Sequence, residues 1–145
     1  MYQVSELLGV KGSAVVTIAP TASVLEAAQA MNERKIGSLV VVEGGPGKRV
    51  VGIITERDIL TRIVAAERSP SKTKVQDVMT PKPITCMPET PLEDLRGVMQ
   101  QKRVRHVPVV EGGALAGMVS IGDLNAAEAR EMTQTIGYLK AYISG

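Results

Sequence analysis

The chain states one seven-residue pattern twice, and that duplication limits its possible folds more than any other feature. Gly52-Ile53-Ile54-Thr55-Glu56-Arg57-Asp58 is matched by Gly117-Met118-Val119-Ser120-Ile121-Gly122-Asp123. Each run has a glycine, two apolar residues, a hydroxyl residue and, three positions later, an aspartate. An apolar helical pattern follows both. Two such sites point to a two-fold receptor for a small ligand rather than to a single catalytic centre.

The repeat extends well beyond these runs. Adding 68 to first-half numbers carries Val16 to Ile84, Thr17 to Thr85, Pro20 to Pro88, Met31 to Met99 and Val42 to Val110. Past the loop at 44–49 the offset falls to 65, taking Gly52 to Gly117, Thr55 to Ser120 and Asp58 to Asp123. Even the lead-in Val4-Ser5-Glu6-Leu7-Leu8 resembles Val75-Gln76-Asp77-Val78-Met79. A unit this small buries little surface alone, so two units packed face to face make the stable domain. The divisions fall at 4–68 (first repeat), 69–74 (linker, with Ser69-Pro70-Ser71-Lys72), 75–124 (second repeat) and 125–145 (C-terminal helical extension).

Periodicity fills in the elements. Residues 4–8 read as a short helix or turn before a flexible stretch at 9–12, and 14–18 as a strand ending at Pro20. Thr21 or Ser23 can cap a helix reaching about Lys35, with Val24, Ala27, Ala28 and Met31 on its apolar face. Residues 38–42 and 50–54 are β-branched runs flanking a Gly/Pro loop, which predicts a hairpin. A helix starting near Thr55 turns Ile59, Leu60 and Ile63 inward. The second half repeats the order, and 125–143 adds a helix offering Ala127, Met132, Ile136, Leu139 and Ile143 for packing.

Composition excludes several functions. A formal charge of +2 is too small to argue for a polyanion, and without Phe or Trp there is no stacking platform for single-stranded nucleic acid. No apolar run is long enough to cross a bilayer, and the N-terminus lacks a basic-then-apolar leader, so the expected location is cytoplasmic. The lone Cys86 cannot form an internal disulfide, and its place in a predicted strand favours packing over nucleophilic catalysis. His106, the only histidine, has no His/Cys cluster with which to complete a zinc site. No metal ligand set and no catalytic residue is assigned.

The motifs Gly-x-x-Thr-x-x-Asp at 52–58 and Gly-x-x-Ser-x-x-Asp at 117–123, with Arg105-His106-Val107-Pro108-Val109-Val110, give the chain its resemblance. It resembles a tandem pair of CBS domains (a Bateman module) of the stand-alone bacterial or organelle type over residues 4–124. The resemblance implies an α/β (α+β) fold of two β-α-β-β-α repeats with pseudo-two-fold symmetry, followed here by a C-terminal helix. It also implies a cleft between repeats for AMP, ADP, ATP, NAD or S-adenosylmethionine, and assembly as a homodimer.

These residue types suit such a ligand. One ionised carboxylate can accept both ribose hydroxyls, at roughly 1.5–3 kcal/mol per charge-assisted bond, and Asp58 and Asp123 are the candidates. Thr55 and Ser120 sit where helices begin, with backbone N–H groups free to meet a phosphate beside Gly122. Aliphatic side chains, Val107 and Pro108 can form an adenine slot. By the resemblance, Thr17, Ala19, Thr85 and Met87 mark the first-strand segments that read the base edge. Arg105 and His106 match positions where the family places cations near phosphate. The first half has Gly37 and Ser38 there, so the two clefts should differ. Strand alternation sends Arg105 and His106 to opposite faces.

A plainer reading competes. Ser or Thr followed three residues later by an acid is also a helix capping box. A cap needs no glycine upstream, whereas close approach of ligand or backbone does, so duplicated Gly52 and Gly117 favour the ligand. Arg57, in a first helical turn, is either phosphate-binding or neutralised by Glu56 and Asp58. Arg34-Lys35 and Lys102-Arg103 complement helix C-termini and are structural. The expected function is therefore an adenine-nucleotide sensor, AMP first, that signals occupancy to an unidentified regulated protein. The alternatives are a dimerising scaffold with degenerate clefts and, last, an enzyme.

Overall fold

The β-branched runs either side of the first glycine-rich loop pair as antiparallel strands, and the chain builds this hairpin twice. The computed structural model describes residues 3–44 and 48–144, so Gly45, Pro46 and Gly47 of the expected loop lie outside the described residues. In chain order the elements are α1 (Val4–Lys11), β1 (Thr17–Ile18), α2 (Val24–Arg34), β2 (Ser38–Glu43) and β3 (Arg49–Thr55). Next come α3 (Glu56–Ile59), which continues as a π-helical turn (Leu60–Val64), then α4 (Val75–Val78) and β4 (Thr80–Pro81). The second half adds α5 (Leu92–Lys102), β5 (His106–Glu111), β6 (Ala114–Ser120) and α6 (Ile121–Ser144).

The two hairpins match in detail. Register slips between Val41 and Val42 in one and between Val109 and Val110 in the other, so the bulges fall at equivalent places. In each case the residue before the slip faces the motif glycine, as Val41 does Gly52 and Val109 does Gly117. Both α2 and α5 end on a basic residue in the left-handed region, Lys35 (φ 54°) and Arg103 (φ 56°). Ser23 is the N-cap of α2, its hydroxyl accepting from Glu26 N at 3.1 Å.

The lead-in helices exchange partners. In α1, Val4 and Leu7 bury against Cys86, Leu95, Met99, Val107 and Val119 of the second half. In α4, Val75 and Val78 bury against Val24, Met31, Leu39 and Ile54 of the first. Equivalent backbone bonds fix both: Val4 N donates to Thr90 O and Ser5 N to Pro88 O, as Val75 N does to Ala22 O and Gln76 N to Pro20 O. Each buried Val or Leu contributes about 1.5–3 kcal/mol, so each half is completed by the other half's lead-in.

Several expectations need correction. The stretch at 9–12 is not flexible coil: α1 runs through Gly9 and Val10 to Lys11, ending at Gly12 with φ 94°. The equivalent α4 stops after one turn because Pro81 disfavours helical backbone at Thr80; Thr80 and Pro81 pair with Ile53 and Gly52 instead. First strands are shorter than the apolar runs, only Thr17–Ile18 in one half and a single Cys86–Val109 bridge in the other. Leu60 is outward, 60% exposed, since Ile59 and Ile63 take the inner face one turn apart. Of the C-terminal residues offered for packing, Ala127 is buried, whereas Met132, Ile136, Leu139 and Ile143 are exposed on the part of α6 that runs beyond the core.

Candidate functional site

Both motifs fold as a strand running straight into a helix, and both close as reciprocal capping boxes. Asp58 N donates to Thr55 Oγ1 at 3.1 Å while Asp58 Oδ2 accepts from Thr55 N at 3.0 Å. Asp123 N donates to Ser120 Oγ at 3.1 Å, and Asp123 Oδ2 accepts from Ser120 N at 2.8 Å. The plainer reading of the motif is thus realised in each half. Each cap uses only Oδ2 of the carboxylate.

The glycines were misread as a sign of ligand approach. A Cβ on Gly117 would stand 2.9 and 3.0 Å from the two terminal methyls of Leu8. On Gly52 it would collide with Met79 Sδ and lie 3.0 Å from Thr80 O. Leu8 and Met79 occupy equivalent places in the two lead-ins. What approaches each motif glycine is the exchanged lead-in of the other half.

Around Asp123 the structure opens a cavity of about 320 Å³ lined by Lys11, Ser38, His106, Met118, Ser120 and Asp123, with Ala14, Val15, Ile36 and Gly37. Four expected site residues meet there: Ser38, buried in the first half, with His106, Ser120 and Asp123 of the second. The cleft therefore lies between repeats. Lys11, which sequence reasoning passed over, donates from Nζ to Asp123 Oδ2 at 2.6 Å and to Met118 O at 2.7 Å. Burial pushes the Asp123 carboxyl up, but bonds from Lys11 and Ser120 outweigh it and hold it below the usual carboxylate range. Burial pulls His106 down, Arg105 adds to this, and Asp123 and Glu56 partly oppose it.

Asp58 is more enclosed, 8% exposed, and its Oδ1 lies 4.0 Å from Arg62 Nε. Arg62 also donates through Nη1 to Val78 O and Met79 O, tying the first motif to α4. Thus a cation links each motif aspartate to an exchanged lead-in, Lys11 in one half and Arg62 in the other.

Other expected residues fall elsewhere. Arg105 points away from His106, as alternation requires, into a groove of about 400 Å³ shared with Arg57, Arg96, Arg103 and Gln100. Arg96 is paired there with Glu128 at 3.0 Å and donates to Asn125 Oδ1. Arg103 caps a helix end, yet it also lines this cationic groove. Thr85 and Met87 line a separate cavity of about 350 Å³ with Cys86, Leu95 and Val98. Thr17 pairs with Val40 in the sheet, and exposed Ala19 accepts at its carbonyl from Ala22 N. Val107 and Pro108 are buried within β5, where Pro108 O accepts from Cys86 N, and neither lines the cleft as an adenine slot would require. Gly122 is exposed in the first turn of α6.

Two β-α-β-β-α units joined through exchanged lead-ins define a tandem-repeat α+β module. The CBS domain family model matches residues 6–65 and 75–130, and the chain belongs to that family. It is 42% identical over 125 residues to the mitochondrial CBS domain-containing protein CBSX3 of Arabidopsis thaliana, covering 85% of this chain and 61% of that one. Among solved structures, the CBS-domain containing protein ATU1752 from Agrobacterium tumefaciens superposes with TM-score 0.80 at 37% identity, covering 88% of this chain and 93% of its own. The CBS domain protein PAE2072 from Pyrobaculum aerophilum, solved in complex with AMP, gives TM-score 0.74 at 31% identity, covering 83% and 88%. No helix among the described residues is long and apolar enough to cross a membrane.

Proposed function

We propose that the chain is a regulatory module that binds an adenine nucleotide, AMP first, and passes its occupancy to a partner protein. The observation that carries this reading is the cleft at Asp123, where a carboxylate, two hydroxyls, an imidazole and an ammonium from both repeats line one cavity. The AMP complex of the Pyrobaculum relative supports it. In this reading Asp123 takes the ribose hydroxyls and His106 and Ser120 face the phosphate end. Asp58 would do the same in the other half once Arg62 moves aside. ADP, ATP, NAD and S-adenosylmethionine stay in the set of ligands on the ribose contact alone, since Arg57 and Arg105 line a separate groove.

We read the duty as binding rather than catalysis, because a carboxylate repeated in each half suits a duplicated receptor. The module is proposed to work as a cytoplasmic homodimer whose partner reads a change in repeat packing. A coupling of about 1–3 kcal/mol is enough for that. The scaffold alternative draws on the completed caps, which give both aspartates a structural duty. Thermal shift of ligand-free protein with AMP, ADP, ATP, NAD and S-adenosylmethionine separates the two readings. A nucleotide that binds only the folded state raises the melting temperature; no response to any of them leaves the scaffold.

A further inference from the structure

We propose that Lys11 is the resident counter-ion of the Asp123 cleft, and that an adenosyl ligand displaces it and thereby releases the end of α1. The inference rests on the reading of Asp123 as ribose acceptor. Asp123 Oδ2 is already shared by Ser120 N and Lys11 Nζ, so a ribose diol reaching the carboxylate edge meets an ammonium in its place. Two hydroxyl donors can take the carboxylate edge, one on Oδ2 in the place of the ammonium and one on Oδ1.

Among the described residues this device is seen at Asp123 and not at Asp58, and the sequence explains why. Lys11 reaches Asp123 because α1 continues for eight residues to the lysine itself. Its counterpart by the lead-in offset is Lys82, which lies beyond Pro81 on exposed backbone with φ 46°. Pro81 ends α4 early, so no lysine is delivered to Asp58. There the cation is Arg62, which comes from the motif's own helix and grips the carbonyls of Val78 and Met79.

The lysine also gives occupancy a route outward. α1 is held at its start by Val4 and Leu7 in the second-half core and at its end by the Lys11 contacts with Asp123 and Met118. The ion pair is partly exposed, with side chains 30% and 25% accessible, so it is a displaceable contact rather than a lock. Losing it frees residues 9–11 at the end of α1, while Leu8 on Gly117 and the buried start stay in place.

Calorimetry with adenosine, which has the diol but no phosphate, tests this on wild type, Lys11→Met and Lys11→Arg, alongside hydrogen exchange of residues 4–12. Lys11→Met is expected to bind adenosine about two- to fivefold more tightly, and Lys11→Arg to stay near wild type. Adenosine should speed exchange in the last turn of α1 of the wild type and change nothing in Lys11→Met. Equal or weaker adenosine binding by Lys11→Met, or an unresponsive α1 in wild type, overturns the inference alone. No adenosine or AMP binding by any of the three proteins overturns the ribose reading, and the inference with it.

Discussion

Leu8 packs over Gly117, its terminal methyls 2.9 and 3.0 Å from where a Cβ would stand. Gly117→Ala should therefore push the flexible end of Leu8 aside, at a cost of about 1 kcal/mol. Leu8→Ala in the same chain should remove most of that cost, giving a coupling of about 0.5–1 kcal/mol in a double-mutant cycle by denaturant unfolding. Strict additivity would show that the glycine answers to something other than the exchanged lead-in.

The caps and the proposed ribose contact can be separated at Asp58. Asparagine keeps an oxygen for Thr55 N but loses the charge, whereas alanine removes both. Asp58→Ala should lower stability by about 1 kcal/mol or more, and Asp58→Asn by less, while both weaken nucleotide binding at that cleft. Thermal melts paired with calorimetry read the two effects. An Asp58→Asn protein with undiminished affinity at every site would leave this aspartate a structural role only.

His106 makes stability fall on acidification. Its folded pKa is held below the ordinary 6.5, chiefly by burial, so below about pH 6.5 the unfolded chain takes up a proton that the native chain declines. Stability should decline as pH drops from about 6.5, well before Asp123 begins to lose its own contribution below about pH 4. His106→Gln should flatten the first decline and leave the second. Denaturant midpoints measured from pH 7 to pH 3 check both.

Cys86 governs the alkaline side. Burial pushes its thiol up from 9.0 to about 11, so the unfolded chain ionises first and stability falls as pH rises between those values. The full loss is about 2–3 kcal/mol, and Cys86→Ala should abolish that slope. The native thiol should also resist alkylation at pH 8 until the protein is unfolded.

The duplication made the architecture legible, because paired apolar runs with matching turns dictate two hairpins and two flanking helices. The split of Arg105 from His106 was legible from strand alternation alone. What could not be read was which half each lead-in completes. Val4 and Leu7 carry an apolar pattern that fits either core, and only three-dimensional closure selects the far one. That exchange also explains the misreading of Gly52 and Gly117, since their neighbours Met79 and Leu8 are distant in sequence. Lys11 escaped notice for a related reason: its partner Asp123 lies in the other half. A signal was present in the absence of a proline after Leu8, where Pro81 follows Met79.

The central claim, an aspartate in each half that grips an adenosyl ribose, is tested most directly by calorimetry of AMP against 2′,3′-dideoxy-AMP. The account predicts that wild-type protein binds AMP at least about tenfold more tightly than the dideoxy compound, a difference of about 1.4 kcal/mol. The preference should shrink in Asp123→Asn and vanish in the Asp58→Asn, Asp123→Asn double variant. Equal affinity of the wild type for both nucleotides would contradict the account.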